Sequence, residues 1–144
     1  MRTIRFRGKD RFGAGWVYGY LVKEACGDVW IFPHDDTHCN AGGDWYNNKE
    51  PGFCVVDPET VGQFTGLKDR NGVEIYEGDI LASGKARHLV EYQEKEGAFM
   101  GVNPNYGKDM LSGEDFSTPL HQGWITRFEK EVIGNIHDNP ELLK

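Results

Sequence analysis

Apolar and polar residues alternate along several short segments of this chain, and residues 15–22 show the pattern most clearly. Successive side chains of a strand point to opposite faces of the sheet. One face of this segment would carry Trp16, Tyr18, Tyr20 and Val22, and the other Val17, Gly19 and Leu21. Because both faces are apolar, the pattern predicts a strand inside a sandwich or barrel, or at a subunit interface.

Further strands are predicted where short alternating runs are bounded by turn-forming residues. They lie at residues 3–7, 29–32, 53–56, 88–92, 98–102, 124–128 and 131–136. Residues 33–52 and 103–122 are predicted as long loops, and Asn139 is predicted to cap a short helical turn that begins at Pro140. The chain is therefore expected to be one all-β domain over residues 1–144. Its antiparallel strands would form a barrel-like or sandwich core, with only minor short helical turns.

Turn-forming residues are concentrated between positions 59 and 81. In Asp69-Arg70-Asn71-Gly72, the Asp69 carboxylate can accept backbone N–H groups across the turn, and Asn71 and Gly72 tolerate positive φ. Gly78 and Asp79 are predicted to form a second corner before the next strand. We interpret these residues as determinants of the fold, because they form none of the usual catalytic groupings.

The same segment resembles the signature of the YopX family, small proteins encoded by bacteriophages and prophages. The resemblance is carried by residues 62–72 and 74–80, and by 131–136 and 139–143 near the end of the chain. Residues 4–7 and 16–20 are similar to the beginning of the family's sequences. This resemblance implies an all-β, oligomeric protein without an established biochemical role. It supplies no catalytic residue.

Composition agrees with a single turn-rich β domain, since the 144 residues include 19 glycines and 18 aromatic residues. No apolar run approaches the ~20 residues of a membrane span, and no apolar stretch follows the charged N-terminus as in a signal peptide. We therefore expect a location in the cytoplasm of a bacterial host cell. There the three cysteines, Cys26, Cys39 and Cys54, would be reduced thiols.

Positive charge is concentrated at the N-terminus of an acidic protein whose net charge is −7. The basic residues are Arg2, Arg5, Arg7, Lys9 and Arg11. They would contact phosphate if Arg5 and Arg7 share one face of a strand, with Ile4 and Phe6 on the other. The alternative is a solvated face, or salt bridges to an acidic neighbouring subunit. The acidic remainder argues against a general nucleic-acid-binding protein.

One region of the chain contains several residues that could bind a metal ion, but their spacing differs from that of a zinc site. They are Cys26, His34, His38, Cys39 and Cys54. Zinc sites typically pair their ligands as Cys-x-x-Cys or as two histidines on one helix face, so loop histidines and structural thiols are favoured here. We predict no metal, no cofactor and no catalytic residue. The aromatic side chains of Trp16, Tyr18, Tyr20, Trp30 and Phe32 could stack nucleic-acid bases, but core or interface packing is favoured.

Three functional hypotheses follow. The preferred one is a non-enzymatic phage or prophage accessory protein that self-associates as a binding module. It could also have an unidentified protein partner. The alternative is a nucleic-acid-associated regulator that uses the basic N-terminal strand. The third is an enzyme or metalloprotein built on the cysteine and histidine residues between positions 26 and 54.

Overall fold

The computed structural model describes residues 1–34, 52–108 and 115–144, which form two compact units. Unit 1 comprises residues 1–64 and unit 2 comprises residues 65–144. The strands of both units pair antiparallel, so the predicted all-β class is confirmed. Within the described ranges these strands form two sheets and no closed barrel.

Unit 1 consists mainly of one antiparallel sheet. Its strands are β1 (Phe6–Lys9), β2 (Trp16–Lys23), β3 (Val29–Pro33), β4 (Cys54–Val56) and the first half of β5 (Gly62–Lys68), with a 3₁₀ turn at Pro58–Thr60. They lie in the order β4-β3-β2-β1-β5. One face of the sheet covers a core of Val17, Val29, Ile31, Cys54 and Val56. The partly buried Phe6, Leu21 and Val61 pack against this core.

The turn between β1 and β2 is stabilised by Asp10. Its carboxylate accepts the backbone N–H groups of Phe12 and Ala14, each at 3.0 Å. Asp10 also forms an isolated antiparallel bridge with Val56. The end of β1 therefore contacts β4, although two strands separate them in the sheet, which means that the sheet is strongly curled.

Unit 2 is built on a second antiparallel sheet. Its strands are β7 (Asp79–Ser83), β8 (Ala86–Gln93), β9 (Ala98–Lys108), β10 (Asp115–Pro119) and β11 (Glu131–Asn135), in the order β10-β9-β8-β7-β11. The second half of β5 neighbours β6 (Glu74–Tyr76). One short helix, α1 (Gln122–Arg127), and a 3₁₀ turn at Pro140–Leu143 complete the unit. Ile75, Leu81, Val90 and Ile125 form its fully buried core.

Several predicted boundaries are wrong. Residues 124–128, predicted as a strand, belong mostly to α1, because the His121 side chain accepts the N–H of Trp124 at 3.1 Å and begins a helix that buries Ile125. The predicted loop over residues 103–122 contains part of β9 and all of β10. The N-terminal strand begins at Phe6 rather than at residue 3. Asn139 precedes the last turn, but its side chain makes no capping hydrogen bond.

The loop predicted over residues 33–52 lies mostly outside the described residues. Pro33, its first residue, is instead the last residue of β3. In the parts of the chain that the structure describes, no helix is long and apolar enough to cross a membrane.

Candidate functional site

The side of the unit 1 sheet that faces away from the core carries an unusual set of side chains, and we call it the outer face. Strand register places Tyr20 opposite Phe32 and Val22 opposite Trp30. The same register places Arg7 opposite Tyr18 and Lys9 opposite Trp16. Side chains opposite one another in an antiparallel pair lie on the same face. The outer face is therefore aromatic and apolar toward β3 and β4, and basic and aromatic toward β1.

The apolar end of the outer face is exposed. We define the apolar patch as Tyr20, Val22, Trp30, Phe32 and Phe53. The exposed fractions are 56% for Tyr20, 44% for Val22, 37% for Phe32 and 49% for Phe53. The Phe53 ring lies 5.2 Å from the Phe32 ring and 6.3 Å from the Trp30 ring, in edge-to-face geometry. These contacts hold the rings together at the surface without covering them.

A small open cavity lies at the edge of the apolar patch. Its volume is about 150 Å³, and it is lined by Val22, Glu24, Trp30 and Phe53. The ring planes of Trp30 and Phe53 are nearly perpendicular, at 85°. Glu24 is the charged residue of an otherwise apolar lining.

These positions correct the interpretation of the aromatic residues. The core of unit 1 contains none of Trp16, Tyr18, Tyr20, Trp30 and Phe32. The alternation of apolar residues along β2 correctly separates two faces, but the face with the larger side chains is the outer one. The smaller Val17 and the β3 residue Ile31 fill the core instead. The prediction that these five residues pack in the core of the fold is therefore wrong.

The basic N-terminal residues lie in different environments. The guanidinium of Arg7 stacks on the Trp16 ring at 4.7 Å, and the ammonium of Lys9 lies 5.6 Å from the same ring. The guanidinium of Arg5 lies 5.0 Å from the Phe64 ring and 3.2 Å from Nε2 of His34. We call this set of side chains the basic–aromatic strip. It consists of Arg5, Arg7, Lys9, Trp16, Tyr18, His34 and Phe64.

The basic residues that were predicted to contact nucleic acid also differ in how much of their surface is exposed. Arg7 is buried, with 6% of its surface exposed, whereas Arg2 and Arg11 are exposed. Arg11 forms an ion pair with Asp28 at 3.5 Å. Phe6 packs against the core, as expected for the face opposite Arg5 and Arg7, but Ile4 is 55% exposed and precedes the strand. The five basic residues therefore do not form one uniform exposed surface.

The candidate metal ligands are only partly described. His38 and Cys39 lie outside the described residues. Cys54 is fully buried and disulfide-bonded, so the prediction of a reduced thiol is wrong for this residue, and its sulfur is not a free thiolate ligand. The exposed Cys26 thiol donates to Glu24 at 3.3 Å, and Nδ1 of His34 lies 3.0 Å from the carbonyl oxygen of Tyr18. Within the described ranges, no three His, Cys, Asp or Glu residues are grouped to hold a metal ion.

The predicted turn residues form a hydrogen-bonded centre in unit 2. Asp69 is buried, and its Oδ1 accepts the N–H groups of Asn71 at 2.7 Å and Val73 at 2.9 Å. Its Oδ2 accepts the N–H of Val132 in β11 at 2.9 Å. Asp79 is also buried, and its Oδ2 accepts the N–H of Tyr76 at 2.8 Å.

Two of the predicted turn glycines require the left-handed backbone region. Gly72 has φ of 82° and Gly78 has φ of 87°, values that side chains with a Cβ rarely adopt. Asn71, which we expected only to tolerate positive φ, does not adopt it. All five predicted turn residues thus lie in hydrogen-bonded corners of unit 2, where their visible role is to hold the backbone.

Sequence reasoning missed a buried lysine in unit 2. Lys130 has 3% of its surface exposed, and its Nζ lies 4.5 Å from the Trp124 ring and 3.3 Å from Nδ1 of His88. Burial lowers the pKa of Lys130, since it disfavours the charged ammonium. Burial, followed by the charge of Lys130, lowers the pKa of His88 to about 4. His88 is therefore neutral at pH 7, and its Nδ1 can accept a hydrogen bond from Lys130.

No short motif marks this cluster in the sequence, because His88 and Lys130 are 42 positions apart. The ring of Trp124 lies edge-to-face with His88 at 5.0 Å. A Cβ at position 101 would lie 3.0 Å from the Trp124 ring, so Gly101 provides the space that the ring occupies. Cation–π contact and the neutral imidazole together hold the Lys130 side chain in place.

The architecture defines a small antiparallel β protein with an aromatic outer face. The family model described as YopX protein matches residues 5–144, and the chain belongs to the YopX family. The resemblance inferred from the sequence is thereby confirmed.

Solved structures that are similar to this chain include the following two. Protein EF1440 from Enterococcus faecalis has a TM-score of 0.56 and 23% sequence identity, and the match covers 100% of both chains. Protein yopX from Bacillus subtilis has a TM-score of 0.49 and 20% identity, over 100% of this chain and 98% of the other. At this identity the likeness to EF1440 shows the fold alone. No curated protein matches the chain.

Proposed function

We propose that this protein is a non-enzymatic accessory protein of a phage or prophage that acts as a binding module and self-associates through the apolar patch. The observation that carries the proposal is the exposure of Tyr20, Val22, Phe32 and Phe53 on one face of one sheet. Contiguous exposed apolar side chains of this kind are typical of interaction sites rather than of a surface left in water. We place the protein in the cytoplasm of the bacterial host.

The magnitude of this association can be bounded. Burying a fully exposed large apolar side chain contributes about 1.5–3 kcal/mol, and side chains that are about half exposed contribute about half of that. Four such side chains from each of two copies are opposed by about 4–15 kcal/mol for the loss of free motion and the ordering of side chains. At the favourable ends of the two ranges, about 12 kcal/mol gained against about 4 kcal/mol lost, the surplus of about 8 kcal/mol corresponds to a dissociation constant of about 1 μM, so we expect a homo-oligomer that forms at micromolar protein.

The test is sedimentation velocity on untagged protein across a micromolar dilution series, with light scattering after size exclusion at two salt concentrations. Tyr20→Ser combined with Phe53→Ser should shift the protein to monomer. Phe12→Ser is the matched control, since Phe12 is 61% exposed in unit 1 but lies in the turn after β1, outside the apolar patch. A native protein that stays monomeric at micromolar concentration, or an oligomer that survives the double substitution, contradicts the proposal.

Nucleic-acid binding is a second candidate, supported by the alternation of cationic and aromatic side chains in the basic–aromatic strip. Such surfaces combine phosphate contacts with stacking of bases. Binding through the strip would weaken as salt rises and would fall when Arg5→Ala is combined with Lys9→Ala. Arg7→Ala is a less direct test, because the buried Arg7 side chain packs on Trp16 and its loss changes the sheet itself. Absence of binding to single-stranded DNA and RNA at low salt eliminates this candidate.

A further inference from the structure

The cavity at the edge of the apolar patch has two nearly perpendicular aromatic walls. Trp30 projects from β3 and Phe53 directly precedes β4, and their ring planes meet at 85°. Val22, opposite Trp30 in the register of β2 and β3, contributes an aliphatic wall. The walls are mostly apolar, and the faces of aromatic rings carry partial negative charge.

Glu24 gives the cavity a full negative charge. Its backbone is fixed at the turn after β2, where its N–H donates to the carbonyl of Asp28 at 2.9 Å and its own carbonyl accepts the N–H of Gly27 at 3.0 Å. The Cys26 thiol donates to Oε2 of its carboxylate. Among the residues that the structure describes, no lysine or arginine forms an ion pair with Glu24. Glu24 therefore lines the cavity together with the two aromatic residues, and no basic side chain in the described part of the chain is paired with its carboxylate.

Two aromatic walls with an adjacent carboxylate are the features that bind an organic cation. An alkylated ammonium group is weakly hydrated and gains from both the ring faces and the carboxylate, whereas an anion is repelled. The cavity of about 150 Å³ has the volume of roughly five water molecules, which suits a compact trimethylammonium group. A planar aromatic ligand would fit less well, because the walls are perpendicular rather than parallel.

We propose that Val22, Glu24, Trp30 and Phe53 form a binding site for an alkylammonium cation. The site goes beyond self-association, because it selects its ligand by charge as well as by apolar contact. The same group occurs on free quaternary amines and at the end of a methylated lysine side chain, and both present the same chemistry to the cavity.

The experiment compares choline with its neutral isostere 3,3-dimethylbutan-1-ol, which replaces the ammonium nitrogen by carbon. Ligand methyl signals are followed by saturation-transfer NMR, and affinities by calorimetry, at constant ionic strength and without reductant, so that the disulfide of Cys54 beside Phe53 stays intact. Choline should bind at least about tenfold more tightly than the isostere, as expected when cation–π and carboxylate contacts both act. Equal transfer to the two ligands overturns the proposal.

Two substitutions assign the effect to the cavity. Glu24→Gln should weaken choline binding about two- to fivefold and leave the isostere unchanged, because it removes one partly exposed charge contact. Glu59→Gln is the control, since it makes the same charge change on the exposed 3₁₀ turn of unit 1. Trp30→Leu should reduce the affinity for choline about tenfold. If Glu24→Gln and Glu59→Gln weaken choline equally, the effect is one of net charge and the site is refuted.

A further arm identifies the source of the cation. Nα-acetyl-Nε-trimethyllysine methylamide binding more tightly than choline supports a peptide-borne ligand, and tighter binding of choline supports a free amine. All titrations are repeated in Tyr20→Ser, a residue of the apolar patch outside the cavity lining. Cation selectivity in a variant of known oligomeric state separates this proposal from self-association, so that either can fail while the other stands.

Discussion

Replacing Asp69 by alanine should destabilise unit 2 more than any ordinary surface substitution. The carboxylate is buried and accepts three backbone N–H groups, those of Asn71, Val73 and Val132. Alanine leaves these three donors without their acceptor. The first two donors lie within the turn, and the third lies in β11, so the substitution affects a local turn and a distant strand together.

The size of the effect follows from the number and kind of bonds. A hydrogen bond to a charged group contributes about 1.5–3 kcal/mol, and removing the acceptor also leaves buried donors unsatisfied. Three bonds that share one carboxylate are not additive, and water can reach part of the turn, so we expect a loss of about 3–5 kcal/mol for Asp69→Ala. Asp69→Asn can keep both bonds to Oδ1, but its amide group would face the N–H of Val132, so we expect about 1–2 kcal/mol.

Urea unfolding at pH 7, followed by tryptophan fluorescence and far-UV circular dichroism, measures these losses. Asp57→Ala is the matched control, because the exposed Asp57 carboxylate caps the 3₁₀ turn by accepting a single N–H, that of Glu59 at 3.1 Å. We expect about 0.5–1 kcal/mol for this control. Hydrogen exchange at the Val132 amide should accelerate in Asp69→Ala. If Asp69→Ala costs no more than Asp57→Ala, the reasoning is refuted.

Three other predictions follow from unit 2. Folding favours the neutral state of His88, because the pKa of His88 is lowered from 6.5 to about 4. The stability that this neutral imidazole contributes is therefore present above pH 6.5 and is lost as the pH falls toward 4. Because His88 is partly exposed, we expect the loss in the free energy of unfolding to be about 1–2 kcal/mol. Thermal unfolding across this pH range should show it, and His88→Gln should reduce the slope. The lowered pKa of Lys130 means that stability rises with pH in the alkaline range, and Lys130→Met, which keeps the apolar stem, should abolish this rise without unfolding the protein. Gly101→Ala should cost about 1–3 kcal/mol in denaturant unfolding because its methyl group would crowd the Trp124 ring, whereas Gly97→Ala meets no neighbour and is strained only through its φ of 59°.

Local chemistry made part of this fold predictable. The turn at Asp69 and the strand periodicity of β2, β3 and β11 depend on residues close in the sequence. The family resemblance rests partly on the same segments, namely the turn, the first part of β2 and β11. Helix α1 was missed because Trp124, Thr126 and Phe128 fit a two-residue alternation, while the decisive contact, the His121 cap, is a single hydrogen bond.

The candidate site was harder to predict for a different reason. Alternation shows that β2 has two apolar faces but not which face is covered, and the answer depends on the neighbours that the chain supplies. Val56, Ile31 and Cys54 come from other strands and fill one side, which leaves Tyr20 on the other. The contact between Lys130 and His88 joins β8 to the residue that precedes β11, and it depends on the tertiary fold, so no spacing rule could indicate it.

The bond from Val132 to Asp69 also has a consequence for synthesis on the ribosome. The described strand pairings of unit 1 join residues before position 65, so this sheet can form while the rest of the chain is still being translated. Unit 2 differs, because Asp69 receives its third partner 63 residues later and β7 pairs with β11. Its sheet is completed only after residues 131–135 have left the exit tunnel. Until then the growing chain exposes one edge of β7. Chaperones would bind this intermediate, and a premature stop codon would leave the chain in this state.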